Sequence, residues 1–381
     1  MRRRAFITRV PGAAQHEPKV SGALQTRDRS GPWRSRISGA PLHFVPRCTA
    51  SGTRDLRRRE FITLLGSAVA WPLAAHAQQP AMPVIGFLHS GSAEPYAGRL
   101  AAFRQGLSDA GLIERKDCTI EFRWAEGNYE RLREMASDLV ARKVSVIVAA
   151  GGVASAPVAK AATAAIPIVF MTGADPIASG LVTSLARPEA NVTGVSFLTQ
   201  ALGGKRLGFL NMLAPEAIAV AVLMNPTNPG RNLAEKEVQE AGRASKRNIR
   251  VFEASTGAEI DSAFELIVRE KFAAILVQSD PLFTSRHVQI ATLGTKAAVP
   301  AIYPSREYAE AGGLASYGAD VRDEYRKAGI YAARILLGAK PADLPVIQPT
   351  KFELVINLKT ARSMGLNISD SFQLLADEVI E

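Results

Sequence analysis

The chain has 381 residues, 47% of them hydrophobic, and a formal net charge of +10. That excess is local: residues 1–77 hold 14 Lys+Arg and 4 Asp+Glu against 46 and 36 in the whole chain, so residues 78–381 carry 32 of each sign. The larger part therefore has no basic surplus with which to neutralise phosphates, and the nucleic-acid reading invited by the basic total loses its support.

Residues 1–55 are rich in Arg, Pro, Gly and Ser without sustained periodicity and are expected to be disordered. Met1-Arg2-Arg3-Arg4-Ala5-Phe6-Ile7-Thr8 echoes Arg57 to Thr63, but Pro11-Gly12 interrupts it and no apolar run follows. The segment reads as an over-extended gene start, with the natural one near Leu56. Residues 56–77 have the three parts of a secretory signal: Arg57-Arg58-Arg59, a short apolar stretch from Thr63 to Ala75, and the small-x-small site Ala75-His76-Ala77. The stretch falls short of the roughly 20 apolar residues of a membrane span, and Gly66 and Pro72 weaken it further. The arginines before Phe61-Ile62 resemble a twin-arginine signal, which a receptor reads. Cleavage after Ala77 and residence in the periplasm are the expectations. Of the two cysteines, Cys48 precedes that site and Cys118 stands alone after it, heading an alternating strand as a small buried residue.

From Val84 the pattern alternates between buried runs and helical spacing. Val84 to Leu88 is a strand running into His89-Ser90-Gly91-Ser92. Leu100, Phe103, Leu107 and Ala110 then recur at helical spacing until Gly111. Thr119 to Trp124 alternates as a strand, and Leu132, Met135, Leu139 and Val140 mark a second helix. Val144 to Ala150 is apolar and ends at Gly151-Gly152; a small-residue helix (Ala154 to Ala165) and a strand (Ile166 to Phe170) follow, ending at Thr172-Gly173-Ala174-Asp175-Pro176. The rhythm restarts after a helix over Lys205 to Leu213. A strand (Ala217 to Met224) ends in Asn225-Pro226, and a charged helix (Leu233 to Lys246), a strand (Ile249 to Glu253) and a helix (Ile260 to Glu270) follow. Ala273 to Val277 is a strand ending in Gln278-Ser279-Asp280-Pro281; a further helix leads to Ala301-Ile302-Tyr303 and the loop Pro304-Ser305-Arg306-Glu307. Strands buried on both faces and alternating with helices predict an α/β fold of two doubly wound parallel-sheet lobes.

In such sheets ligands bind beyond the carboxyl ends of the strands. The strand-end loops give twelve candidate ligand-binding residues. The first block supplies Ser90, Ser92, Gly151, Gly152, Thr172 and Asp175; the second supplies Asn225, Ser279, Asp280, Tyr303, Glu307 and Tyr317. Small residues admit a ligand to backbone N–H groups, hydroxyls donate or accept, and carboxylates pair a cation, which suits a zwitterion such as an amino acid. Each also has a plainer role: Gly151-Gly152 as a tight turn, Asp175-Pro176, Asp280-Pro281 and Asn225-Pro226 as turns or caps, Tyr303 and Tyr317 as half-buried aromatics.

Catalytic constellations are missing from the sequence pattern. His89 and His287 are the histidines beyond Ala77, in separate blocks, without the spacing of a zinc site. There is no Gly-x-Ser-x-Gly elbow and no phosphate loop; Gly203-Gly204-Lys205 lacks the leading glycine and the trailing hydroxyl. Neither an enzyme nor a cofactor or metal site is expected.

Several segments resemble a known family. They are the leader from Arg57 to Pro80, Pro83-Val84-Ile85-Gly86-Phe87-Leu88, Phe103-Arg104-Gln105-Gly106-Leu107, and Phe122-Arg123-Trp124-Ala125-Glu126-Gly127. The most specific are Asp175-Pro176 with Gly180-Leu181-Val182, Ser184-Leu185, Arg187-Pro188 and Asn191-Val192-Thr193-Gly194, together with Gly312-Gly313-Leu314 and Ser316-Tyr317-Gly318. Over about residues 57–381 the chain resembles exported ABC-transporter substrate-binding proteins of the tryptophan/tyrosine-type family. The resemblance implies a type I periplasmic binding fold whose lobes are joined by a three-crossing hinge near Phe197–Gly203, Ser316–Asp320 and Val346–Lys351. It places lobe 1 in 78–198 and 319–348, and lobe 2 in 199–318 and 349–381. It also implies a monomer that captures an amino acid or similar small molecule between the lobes and delivers it to an ABC permease. The alternative is an exported sensor presenting its ligand to a membrane receptor. Arg187-Pro188-Glu189-Ala190 departs from relatives that carry glycines there, which implies a stiffer loop. A repressor's ligand domain is excluded by the export signal.

Overall fold

The computed structural model describes residues 82–381 except Glu189. The disordered extension, gene start and export signal expected in residues 1–77 lie outside the described residues. Among the described residues no helix is long and apolar enough to cross a membrane.

The first sheet is built from β1 (Val84–His89), β2 (Thr119–Trp124), β3 (Val146–Ala150), β4 (Ile168–Thr172) and β5 (Val192–Ser196), in the order β2-β1-β3-β4-β5. Every pairing is parallel. Strands β3, β4 and β5 are buried along their whole length, whereas β2 is half-buried throughout, as its alternation and edge position require. The intervening helices are α1 (Ala97–Asp109), α2 (Arg131–Ala141) and α3 (Ser155–Ala162). They cover the two faces as separate cores, one around Phe87, Phe103 and Val148, the other around Leu88, Leu139 and Phe170. Cys118 lies in the first of these, fully buried.

The chain leaves this sheet through Phe197 and a single 3₁₀ turn, Thr199–Leu202, which opens on Leu198 in the left-handed region (φ 54°). The second lobe runs α4 (Gly203–Leu213), β6 (Ala219–Met224), α5 (Arg231–Ala244), β7 (Asn248–Glu253), α6 (Gly257–Arg269) and β8 (Ala274–Val277). It continues with α7 (Pro281–Ser285), α8 (His287–Lys296), β9 (Ala301–Tyr303), α9 (Arg306–Glu310) and β10 (Ala315–Ala319). Helix α6 shows how local sequence sets an element. Thr256 caps it by accepting from Glu259 N, the Glu259 carboxylate reaches back to Ser255 N at 2.6 Å, and Ile260, Ala263, Phe264 and Ile267 bury one face.

The second crossing is abrupt. Asp320 caps α10 (Val321–Leu336) by accepting from Arg322 N and Asp323 N, and α10 packs lengthwise on α1 of the first lobe. Glycines make that approach possible: a Cβ at Gly106 would run into the Arg326 carbonyl, and one at Gly329 into the Phe103 carbonyl. The third crossing adds Ile347 to the edge of β5, its N–H donating to Gly194 O and its carbonyl accepting from Ser196 N, both at 2.9 Å. The chain then forms β11 (Phe352–Asn357), α11 (Leu358–Ser363), α12 (Asp370–Gln373) and β12 (Glu378–Ile380).

The second sheet has the order β12-β11-β10-β9-β8-β6-β7 and is parallel except at β10–β11. That antiparallel pair departs from the parallel expectation because β11 enters from the hinge, opposite in direction to the strands that end there. The result is two α/β lobes, each with a mostly parallel sheet covered on both faces, joined by three crossings.

Candidate functional site

The carboxyl ends of β3 and β4 face those of β8 and β9 across a cleft of ≈ 620 Å³, part of it open to solvent. The first lobe lines it with Tyr96, Arg99, Gly151, Gly152, Val321 and Tyr325. The second contributes Asn228, Ser279, Asp280, Pro281, Thr284 and Ser305, and Phe197, Thr199 and Gln200 of the first crossing form its back. Gly151 and Gly152 turn the chain at the end of β3 with φ of +87° and +91°. A Cβ on Gly151 would lie 2.6 Å from Ser90 Oγ, and one on Gly152 would lie 3.1 Å from Pro281 Cγ of the opposite lobe. Both the turn and the closeness of the lobes therefore need glycine here.

Asp280 is the polar centre of the second lobe's rim. It is 3% exposed. Its Oδ1 accepts from Leu282 N (2.8 Å) and Asn225 Nδ2 (3.1 Å), and its Oδ2 accepts from Asn228 Nδ2 (2.7 Å) and Tyr129 OH (3.1 Å). The first bond caps α7, and the last reaches across from the first lobe. Burial pushes the Asp280 carboxyl up, and the Asn225, Asn228, Leu282 and Tyr129 bonds oppose that shift. The two asparagines are themselves locked, Asn225 Oδ1 accepting from Thr227 N and Asn228 Oδ1 from Gly230 N.

A second contact between the lobes is ionic. Arg99 Nε donates to Glu307 Oε1 at 3.0 Å, with side-chain exposures of 10% and 16%. Burial opposes the Glu307 charge, but the Arg99 guanidinium outweighs it and holds the carboxyl down at about 2. Arg99 also lies over the Tyr96 ring, 5.0 Å from its centroid. Behind them, His89 Nδ1 accepts from Gly91 N at 2.8 Å, which leaves Nε2 as the protonated nitrogen facing Tyr325 OH at 3.2 Å. Burial, then the Arg99 charge, pushes His89 well below its ordinary range, so the ring is neutral. Tyr96 and Trp124 pack against it, with centroids 4.2 and 4.7 Å away.

The structure brings together Gly151, Gly152, Ser279 and Asp280 in the cleft. Asn225 lines a smaller pocket behind Asp280, and Glu307 lines a groove on the far side of Arg99. Ser90 is buried beneath the cleft, its hydroxyl donating to Gly151 O, while Ser92 lines a separate depression with Glu126 and Arg286. Thr172 is fully buried and accepts from Ala174 N. Asp175 is exposed and caps the following turn through Ile177 N and Ala178 N. Tyr303 and Tyr317 are core residues of the second lobe, Tyr303 stacked on Tyr308 and Tyr317 packed against Phe209 and Phe352. Sequence reasoning missed Tyr96, Arg99, Thr199, Gln200, Asn228, Ser305 and Tyr325. Tyr96 and Arg99 enter from the start of α1 and Tyr325 from α10, so no strand-end rule reaches them.

Among the described residues no group of His, Cys, Asp and Glu could hold a metal ion. Residues 89–380 match the family described as ABC transporter substrate binding protein. A tyrosine-binding protein of Clostridioides difficile is 28% identical over 266 residues, 69% of this chain and 75% of that one. Among solved structures, an ABC domain from Streptococcus pneumoniae in complex with L-Trp superposes with TM-score 0.69 at 26% identity, covering 78% of this chain and 99% of that one. A conserved domain protein from Vibrio cholerae superposes with TM-score 0.71 at 24% identity over the same shares. With the two-lobe fold and the family match over most of its length, this chain belongs to the ABC transporter substrate-binding proteins and has the type I periplasmic binding fold.

Proposed function

We propose that the protein is the extracytoplasmic solute-binding component of an ABC importer, taking a small molecule, an amino acid or similar, into the interlobe cleft and delivering it to a membrane permease. The observation that carries this reading is the cleft itself. Strand ends from both lobes converge on one space, and Tyr129–Asp280 and Arg99–Glu307 join the lobes on its rim. Tyr96, Phe197 and Tyr325 offer aromatic walls, which suits an aromatic or branched side chain; the relatives include a tyrosine-binding protein and a domain in complex with L-Trp. Ligand binding would shift an open–closed equilibrium by favouring the form in which both lobes touch it.

In this reading lobe 1 comprises 78–198 and 319–348, lobe 2 comprises 199–318 and 349–381, and the binding protein acts as a monomer. The ligand-binding set keeps Gly151, Gly152, Ser279 and Asp280 and adds Tyr96, Arg99 and Tyr325. Residues 56–77 act as a twin-arginine signal cleaved near Ala77, and the mature protein works in the periplasm. A thermal-shift screen of residues 78–381 against amino acids and small carboxylates tests the role, because a ligand that binds only the native state raises the unfolding midpoint by mass action. A flat screen would count against it. N-terminal sequencing of protein recovered from the periplasm tests the signal; a mature start other than near Gln78 would overturn that part.

A further inference from the structure

The charges that line the cleft are unequally available. Among the described residues lining it, Arg99 and Asp280 are the two that carry charge. A carboxylate has about four lone-pair directions, and those of Asp280 are met by Leu282 N, Asn225, Asn228 and Tyr129. A ligand ammonium at Asp280 would have to displace one of these donors and strand it in a buried site. Glu307 is no substitute: Oε1 is held by Arg99 and Oε2 is shut off from solvent.

The cation is different. Arg99 has five N–H donors; among the described residues Nε to Glu307 is its one well-aligned hydrogen bond and the Tyr325 hydroxyl is a second neighbour, which leaves most of the donors open. Beside it, Ser305 lines the cleft, 5% exposed; its hydroxyl makes no hydrogen bond of good geometry among the described residues, and the Glu307 carboxylate, which it helps to hold down, is its near neighbour. Ser305 is two positions before Glu307, which places it at the Arg99 end. A planar guanidinium with open N–H groups and an unsatisfied buried hydroxyl form a donor set that a carboxylate completes. The remaining polar lining, which includes Thr199, Gln200, Asn228, Ser279 and Thr284 with the Tyr96 and Tyr325 hydroxyls, is neutral.

We infer that the cleft recognises its ligand by a carboxylate held on Arg99 and Ser305 and makes no ionic contact with an ammonium group. The ligand class is then aromatic carboxylates, for which an α-amino group is dispensable. This rests on the solute-binding reading of the same cleft. The test is calorimetric titration of residues 78–381 with three matched probes: L-tryptophan, indole-3-propionate, which lacks the amine, and tryptamine, which lacks the carboxylate. Indole-3-propionate should bind within about threefold of L-tryptophan, and tryptamine at least about tenfold more weakly, the worth of a charge-assisted hydrogen bond. Tryptamine binding as tightly as L-tryptophan, or a tenfold loss on removing the amine, would overturn the inference while leaving the solute-binding reading standing. If none of the three binds and a wider panel of amino acids and carboxylates is also silent, the solute-binding reading falls and this inference with it. The double variant Arg99→Gln/Glu307→Gln removes the charge without leaving a lone buried ion; it should erase the preference for the carboxylate probe. Arg99→Lys, which keeps the charge but loses the planar fork, should retain part of it. A double variant that folds, by circular dichroism, and keeps the full preference would also overturn the assignment.

Discussion

Asp280 and Glu307 are both buried acids of the second lobe that reach toward the first, yet their carboxyls are shifted in opposite directions. Glu307 meets a guanidinium and is held ionised at about 2. Asp280 meets two amides, a backbone N–H and a phenol, and burial pushes its carboxyl up. Burial alone raises any carboxyl; a full positive charge within hydrogen-bond distance reverses the sign, whereas four neutral donors do not. One rim of the cleft is thus an ion pair and the other a carboxylate held by uncharged donors.

The largest effect is expected on the ionic rim. Glu307→Ala leaves Arg99 buried without its counter-charge and should destabilise the protein by about 3–5 kcal/mol, measured by urea denaturation. Glu307→Gln, which keeps an acceptor, should cost less. On the other rim, Asp280→Ala removes a helix cap and an acceptor shared by four donors, and a loss of about 3 kcal/mol is expected. If Asp280→Ala cost nothing, the network would be ornament and the contrast would fail. Away from both rims, Gly106→Ala pushes a methyl into the Arg326 carbonyl and should cost about 1–3 kcal/mol by prising α10 from α1.

The smallest effects are on pH dependence, where the two acids should differ in sign. Glu307 has a folded pKa below its unfolded value, so its contribution is present above about 4.3 and is lost as the pH falls toward about 2. Asp280 has a raised folded pKa; the folded form binds its proton more tightly, and its contribution is lost as the pH rises above the unfolded value. His89, held neutral, adds a further loss of stability as the pH drops below about 6.5, where the unfolded ring takes up a proton. Denaturation midpoints followed from pH 7 to pH 3 should therefore fall for the parent, and fall less steeply for Glu307→Gln. An unchanged slope in that variant would show that the pair does not set the acid limb.

The two-lobe α/β plan was legible because continuous apolar runs such as Val146–Ala150 and Ala274–Val277 can bury both faces only in a parallel sheet. The strand-end rule found Gly151, Gly152, Ser279 and Asp280 for the same reason. It also collected Tyr303 and Tyr317, which lie within strands and point into a core; a residue in a strand belongs to the face its neighbours set, not to the end of the sheet. Arg99 and Tyr325 were hidden by the reverse effect. Each sits at helical spacing beside apolar residues, as a core or surface position would, and only the packing of α10 on α1 turns both toward the cleft. The short β12 was illegible because Glu378–Ile380 is too brief to show a period.

The docking of α10 also dictates an order of assembly. The first-lobe core around Phe87 and Phe103 takes Val321, Tyr325, Ala328, Ala332 and Ile335 from that helix, yet the last strand of its sheet ends at Ser196 and α10 begins at Val321. During synthesis one face of the first sheet therefore waits, covered only by α1, until the whole intervening lobe has been made. Neither lobe is an independent product of a contiguous gene segment. A truncation at the second crossing would leave a sticky, half-clad sheet, so recombining lobes between relatives requires exchanging α10 together with the first five strands.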